Sequence, residues 1–311
     1  MDAISQAIEA VKTNLPSVAY RLDEQLRNHT SFQIGGPVRA MFLPENTREL
    51  TGLCRLMREC KVSPLILGNG TNILADDASL DIIVIKTMRL RAVERTGTTG
   101  ISAEAGVSLS ELASYACRCG LSGLEFAHGI PGTLGGAVLM NAGAYGGELK
   151  DVVLSTKAFT AENGEFTVTG EEHKFTYRRC LLTDTGGILL SSELLLREGE
   201  PEKITERINE LAARRRKSQP LDLSSAGSVF KRPGTGYAAA LIEQAGLKGY
   251  TAGRARVSVK HSGFIVNLGG ATFSDVMSVI DHVRETVFRR FRIELELEVK
   301  VIRDPGSAGG N

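Results

Sequence analysis

The spacing of apolar residues predicts several elements along the chain. From Asn46 to Cys60, Leu50, Leu53, Cys54 and Met57 recur at i, i+3, i+4 and i+7, and Asn46 with Glu49 has the form of a capping box, so this segment reads as a helix. Leu65-Ile66-Leu67 and Ile82-Ile83-Val84-Ile85 are short apolar runs that read as buried strands. A second capping box, Ser108 with Glu111, opens a helix with Leu109, Leu112, Ala113 and Ala116 inward and Gly120 as its stop. Asp151 to Leu196 is strand-like, with turn signals at Asn163-Gly164 and Gly186-Gly187. After a composition shift near Gly199, Ile204, Ile208, Leu211 and Ala212 form one helical stripe that ends in Arg214 to Lys217 before Gln219-Pro220. Ser274 to about Arg290 is the strongest helix, with Val276, Val279, Ile280, Val283 and Val287 on one side. From Ile293 to Val301 apolar residues alternate with Glu294, Glu296, Glu298 and Lys300, which predicts a strand with all four charged residues on its solvent face. Gly306 to Asn311 reads as a disordered tail.

Mixed helices and strands indicate an α+β protein, and 311 residues allow two domains or three small ones. The net charge of +1 gives no field that would draw the whole chain to nucleic acid or an anionic membrane. No apolar run reaches the ~18 residues of a membrane span, and the opening MDAISQAIEAVKTN does not read as a secretory signal. Cys54, Cys60, Cys117, Cys119 and Cys180 are odd in number and scattered, which predicts reduced thiols, no zinc site and a cytoplasmic protein.

Glycine changes the picture. There are 34, well above the usual share of roughly 7%, and they cluster between Gly120 and Gly147 and between Gly227 and Gly270. Gly68-Asn69-Gly70-Thr71-Asn72-Ile73 begins like a dinucleotide fingerprint, but Ile73 stands where the third glycine would be and no amphipathic helix follows. No Gly-Lys-Ser/Thr follows any glycine loop either. What is left is either a tight turn of small residues or a nest of backbone N–H groups able to bind an anion such as pyrophosphate. The second block, Gly129-Ile130-Pro131-Gly132-Thr133-Leu134-Gly135-Gly136 through Glu148, reads either as close helix–strand packing or as bare backbone for a phosphate or flat ring.

The ordered set of Asn28 to Pro37, the Gly68 loop, Gly129 to Glu148, Tyr177-Arg178, Ala226 to Lys231 and Leu295 to Val299 resembles the UDP-N-acetylenolpyruvoylglucosamine reductases. It covers the chain from about Arg27 to Ile302. The resemblance implies a vanillyl-alcohol-oxidase/PCMH-type FAD-binding fold: two α+β subdomains over 1–86 and 87–199 would clasp FAD, and a C-terminal α+β substrate-binding domain over 200–304 would close on a nucleotide sugar. The short spacing from Cys180 to Pro201 resembles the shorter subclass. The implied activity is NADPH-dependent reduction of an enolpyruvyl ether to a lactyl ether for peptidoglycan precursor synthesis. Hydride would come from non-covalently bound, reduced FAD, and the product enolate would then be protonated.

The same resemblance assigns residues. Gly68, Asn69, Gly70, Thr71, Asn72, Ile73, Gly129, Ile130, Pro131, Gly132, Gly135, Gly136, Asn141, Gly143 and Ala144 would hold the cofactor. Tyr145, Tyr177 and Lys231 would bind substrate, with His261 and Asn267 as further candidates. Arg178 would face the substrate carboxylate, Ser228 would donate the proton, and Glu298 would orient substrate and assist protonation. On pattern alone each of these three also reads as an ordinary residue: a surface arginine, a turn serine, one charge on a solvated strand face. The family usually continues Tyr-Arg-x-Ser, and Cys180 stands in the last place here, a weaker hydrogen-bonding group. Arg214 to Lys217 reads as a basic helix end that complements its own dipole. Two other readings stay open: an FAD-dependent oxidase of the same superfamily, and a non-catalytic regulator that binds flavin or a nucleotide sugar. The expected partners are small molecules, without nucleic acid or membrane, and the chain would be a monomer or weak homo-oligomer.

Overall fold

The structure, a computed structural model, describes residues 1–234 and 236–304; the predicted tail lies outside the described residues. The chain folds into two compact units. One comprises Met1–Leu22, Ala40–Asn69 and Ile82–Arg215, the other Asp23–Arg39, Gly70–Asp81 and Arg216–Asn311. The chain crosses between them inside the Gly68 loop, at Asn69 and Gly70.

The first unit has two apolar cores. In one, the helix Thr47–Glu59 buries Leu50, Leu53, Cys54 and Met57, as its spacing predicts. The Asn46 carboxamide oxygen accepts from the Glu49 N–H at 2.9 Å and starts the helix. A helix at Ala3–Asn14, capped by Asp2 and packed through Ala7, Ile8 and Val11, joins the same core; its stripe is too short to stand out in the sequence. Burial pushes the Cys54 thiol up to about 12, so it is an inert apolar side chain.

The other core lies under an antiparallel five-stranded sheet in the order Gly164–Thr169, Val153–Thr160, Ile188–Leu195, Gly100–Glu104, Val93–Thr96. The helix Leu109–Arg118 packs on it through Leu109, Leu112, Ala113 and Ala116, with Ser108 Oγ accepting from the Glu111 N–H. Gly164 and Gly186 have φ of 74° and 66°, which explains the two turn signals. The strand-like stretch is nevertheless interrupted. A 3-10 turn at Gly170–His173 and a helix at Leu181–Thr185 stand between its strands, and the link between them carries Tyr177 and Arg178.

The second unit is organised by the helix Phe273–Phe291. Thr272 caps it in a reciprocal capping box with Asp275. Val276, Val279, Ile280, Val283 and Val287 are fully buried against a small sheet of Thr251–Ala252, Ala255–Val257 and Ile265–Asn267. The predicted helix ending at Lys217 spans Pro201–Ser218, and Pro220 follows it.

The strand expected over Ile293 to Val301 is corrected by the structure. Only Lys300–Ile302 is regular strand, paired in parallel with Ile73–Ala75. Upstream there is a single bridge, Leu297 to Phe230. The cause lies at Val229, whose carbonyl accepts from two successive N–H groups, Glu298 at 2.8 Å and Val299 at 3.3 Å. Two residues opposite one is the signature of a β-bulge, which breaks the ladder and re-aims the side chains beyond it.

Candidate functional site

The bulge separates three glutamates that the sequence pattern could not. Glu294 and Glu296 are exposed as expected, whereas Glu298 is half-buried. Ser228, also half-buried, is bridged to Phe264 and precedes Val229, the residue whose carbonyl holds the Glu298 N–H. The second unit therefore ties the Glu298 backbone to Val229, the residue that follows Ser228. Lys231 lies on the same ribbon. Its N–H donates to the Glu296 carbonyl at 2.9 Å, and its ammonium pairs with the Glu296 carboxylate at 3.0 Å.

The downstream half of the Gly68 loop braces this ribbon. Asn72 donates from its carboxamide to the Glu298 carbonyl at 3.1 Å, while its own carbonyl accepts from the Lys300 N–H at 3.0 Å. Ile73 is a buried strand residue paired with Lys300. Gly70 has φ 64°, and a Cβ there would lie 2.0 Å from the His29 carbonyl oxygen. The segment around Asn28 to Pro37 thus packs onto this glycine, and Ser31 adds a hydrogen bond to the Ser225 carbonyl.

Two candidates in this unit make hydrogen bonds within the fold. The Asn267 carboxamide donates to the Phe32 carbonyl and accepts from the N–H groups of Gly269 and Ala271, which uses its capacity inside the fold. The His261 ring accepts from the Gly263 N–H at 3.2 Å through Nδ1 and meets the Phe264 ring edge-on. Its pKa lies below the ordinary 6.5, chiefly because burial disfavours the charged ring. A lowered folded-state pKa means that the unfolded chain binds the proton more tightly. Stability is therefore expected to be flat above about pH 7 and to fall as pH drops below 6.5. Thermal unfolding of the wild type and of His261→Asn between pH 7.5 and 5.5 should show a smaller acid loss in the variant; equal losses would remove His261 as the cause.

In the first unit, Gly143–Ala144 pairs with Gly147–Glu148 through a two-residue turn, Tyr145-Gly146. Both turn residues have positive φ, 55° and 90°, as a type I′ hairpin demands. Tyr145 is thus held at a hairpin tip in a conformation unusual for an aromatic residue. The guanidinium groups of Arg214 and Arg215 lie over its ring at 5.2 and 5.7 Å. This revises the reading of Arg214 to Lys217 as a dipole-complementing helix end. Arg215 is buried and its guanidinium donates to the Gly129 carbonyl, so it clamps the second glycine block.

Tyr177 and Arg178 occupy the tip of another tight turn, closed by hydrogen bonds in both directions between Thr176 and Arg179. Arg178 has φ 59° and lies 5.0 Å over the Tyr177 ring. Arg179 is a surface residue paired with Asp184. Cys180 is buried and caps the helix Leu181–Thr185, with its sulfur 3.8 Å from Thr183 Oγ1 and its N–H donating to that oxygen. The residue that departs from the family pattern therefore holds the turn's exit, and a thiol there packs as well as it caps.

The glycines test whether a large cofactor fits the first unit. Gly68 is bare because a Cβ would meet Thr133 Oγ1 at 2.4 Å, Gly143 because it would meet the Gly147 carbonyl at 2.6 Å, and Gly135 because it faces Ala105 at 3.2 Å. The fold itself requires these three. Gly136 is different: it is exposed, and a Cβ would find only Thr133 Oγ1, at 3.8 Å. Among the described residues no neighbouring atom demands glycine there, which fits backbone kept open for an external ring or phosphate. Arg215 Nε is buried without an acceptor, a second group that suits a bound anion. The Asn69 carboxamide reaches the Pro131 carbonyl at 3.4 Å, joining the two glycine segments of this unit.

Residues 38–170 match the family described as FAD binding domain, and residues 219–302 match that described as UDP-N-acetylenolpyruvoylglucosamine reductase, C-terminal domain. The first match and the mixed helices and strands define the class, an FAD-dependent oxidoreductase of α+β fold. The chain is 45% identical to a UDP-N-acetylenolpyruvoylglucosamine reductase of Caldanaerobacter subterraneus over 95% of its own length and 97% of that protein's. The corresponding protein of Alkaliphilus oremlandii is 44% identical, with 96% and 98% covered. The crystal structure of the reductase from Thermus caldophilus superposes with a TM-score of 0.78 at 35% identity, covering 92% of this chain and 99% of that one. The chain belongs to the UDP-N-acetylenolpyruvoylglucosamine reductase family.

Proposed function

We propose that the chain reduces the enolpyruvyl ether of UDP-N-acetylglucosamine enolpyruvate to the lactyl ether of UDP-N-acetylmuramate, a step of peptidoglycan precursor synthesis, with NADPH as reductant. FAD, held by the glycine segments named below, would supply hydride for the vinyl carbon. The remaining chemistry falls to side chains of this chain. Hydride addition leaves negative charge on the neighbouring carbon and its carboxylate. Arg178, permanently charged and able to fork onto a carboxylate, stabilises that enolate. Ser228 donates the proton to the enolate carbon, with Glu298 beside it orienting the substrate and assisting the transfer. Tyr145, Tyr177 and Lys231 bind the nucleotide sugar.

The observation that carries this reading is the bulge at Val229, which sets Glu298 apart from its exposed neighbours and ties it to the backbone beside Ser228. A half-buried hydroxyl and a half-buried carboxylate on neighbouring stretches of backbone suit proton delivery to carbon. We assign the cofactor to Gly68 through Ile73, Gly129, Ile130, Pro131, Gly132, Gly135, Gly136, Gly143 and Ala144; the Asn141 side chain, engaged within the protein, is left out. The proposed domain division is threefold, with residues 1–86 and 87–199 holding FAD and 200–304 binding the sugar. Among the described residues no helix is long and apolar enough to cross a membrane; the assignment adds that the enzyme works in the cytoplasm, on small molecules, as a monomer or weak homo-oligomer. Under anaerobic conditions NADPH should bleach the yellow protein, and the enolpyruvyl nucleotide should restore the colour. A protein that NADPH reduces but the nucleotide leaves bleached would contradict the assignment.

A further inference from the structure

The turn that presents Arg178 is anchored by a network that the proposed chemistry does not use. Asn141 is 2% exposed and itself left-handed, with φ 39°. Its carboxamide nitrogen donates to Glu148 Oε2 at 2.8 Å and to the Thr176 carbonyl at 3.2 Å, and its oxygen accepts from the Lys150 N–H at 3.0 Å. The hydrogen-bonding capacity of the amide is thereby spent inside the protein. Thr176 is the first residue of the Tyr177-Arg178 turn, and its carbonyl is the one the Arg179 N–H closes onto at a long 3.4 Å. Glu148 Oε2, which receives the amide, also pairs with Lys150 at 3.0 Å. Its carboxyl lies below the usual carboxylate range, first because of the Lys150 hydrogen bond, with smaller contributions from Asn141 and from the charges of Lys150 and Arg178.

We infer that Asn141 and Glu148 are positioning residues for Arg178: the amide pins the turn at Thr176 while the carboxylate holds the amide. A left-handed arginine at a turn tip has a backbone conformation that L-residues seldom adopt, and such a conformation persists when surrounding groups over-determine it. The hydrogen bond from Asn141 is a side-chain contact that does so from outside the turn. The chain thus joins the Tyr145 hairpin, which ends at Glu148, to the Arg178 turn through one buried amide.

This inference rests on the role of Arg178 proposed above, so the experiment measures Arg178→Ala, Asn141→Ala, Glu148→Gln and the double variant Asn141→Ala/Arg178→Ala together. Each is scored for FAD content, rate of bleaching by NADPH, rate of reoxidation by the enolpyruvyl nucleotide, and thermal midpoint. Misplacing Arg178 should slow reoxidation by about 100-fold in Asn141→Ala, with FAD content and bleaching at wild-type levels. Glu148→Gln keeps an acceptor for the amide but loses the charge, and about a 10-fold loss is expected, on the scale of one weakened charge-assisted contact. In the double variant the Asn141 effect should vanish, because it acts through Arg178. Additive losses, wild-type reoxidation, or a loss of FAD from Asn141→Ala would overturn the inference. If Asn141→Ala does not fold, Glu148→Gln alone decides, and reoxidation at the wild-type rate would overturn it. If Arg178→Ala itself reoxidises normally, the proposed role of Arg178 fails instead.

Discussion

Ser228→Ala is expected to leave bleaching by NADPH at its wild-type rate while slowing reoxidation by the enolpyruvyl nucleotide about 10³-fold or more. Removing a positioned general acid typically costs about 10²–10⁴-fold, and the upper end of that range applies because carbon, unlike oxygen, takes a proton slowly from bulk water. Alanine fits the site, since Ser228 is only half-buried and its place is set by backbone bonds through Phe264 and Val229. Stopped-flow absorbance of the flavin band separates the two half-reactions. Equal losses in both would mean that the hydroxyl serves binding or folding. Unchanged reoxidation would remove Ser228 from the chemistry.

The second large effect is at Arg178. Replacement by Ala should cost about 10²–10³-fold in turnover, the scale of one donor lost from a developing oxyanion, and should raise KM for the nucleotide sugar. Arg178→Lys should recover the charge without the fork, and so rescue KM more than kcat. Steady-state kinetics with the enolpyruvyl nucleotide varied at saturating NADPH distinguish the two. A change confined to KM for NADPH would move Arg178 out of the substrate site.

What the sequence made legible in the fold was local. Capping residues at Asn46 and Ser108, and the apolar stripes behind them, mark helices that start where the sequence indicates, because a side-chain cap and a 3.6-residue period are short-range properties. The mistaken strand at Ile293 to Val301 shows the limit. Its alternation was real, but the ladder depends on the partner at Val229, where two N–H groups converge on one carbonyl. That same irregularity distinguishes Glu298 from Glu294 and Glu296, which no periodicity could do; only the resemblance selected it. The glycines divide similarly. Composition pointed to the blocks, yet only neighbouring atoms tell that Gly68 and Gly70 are demanded by packing and Gly136 is not. Arg215 and Asn141 were unreadable for a related reason, since their partners, Gly129 and Thr176, lie 86 and 35 residues away. Nothing local separates a buried arginine from the solvated ones beside it.

The central claim is that electrons from NADPH end in the lactyl ether and that the protein's own acid completes the reduction. Product analysis tests it most directly. Purified protein, NADPH and UDP-N-acetylglucosamine enolpyruvate, mixed with and without oxygen, should yield one UDP-N-acetylmuramate for each NADPH consumed, independent of oxygen in the presence of excess nucleotide sugar. NADPH consumption that requires oxygen and yields peroxide, with the enolpyruvyl ether recovered intact, would contradict it.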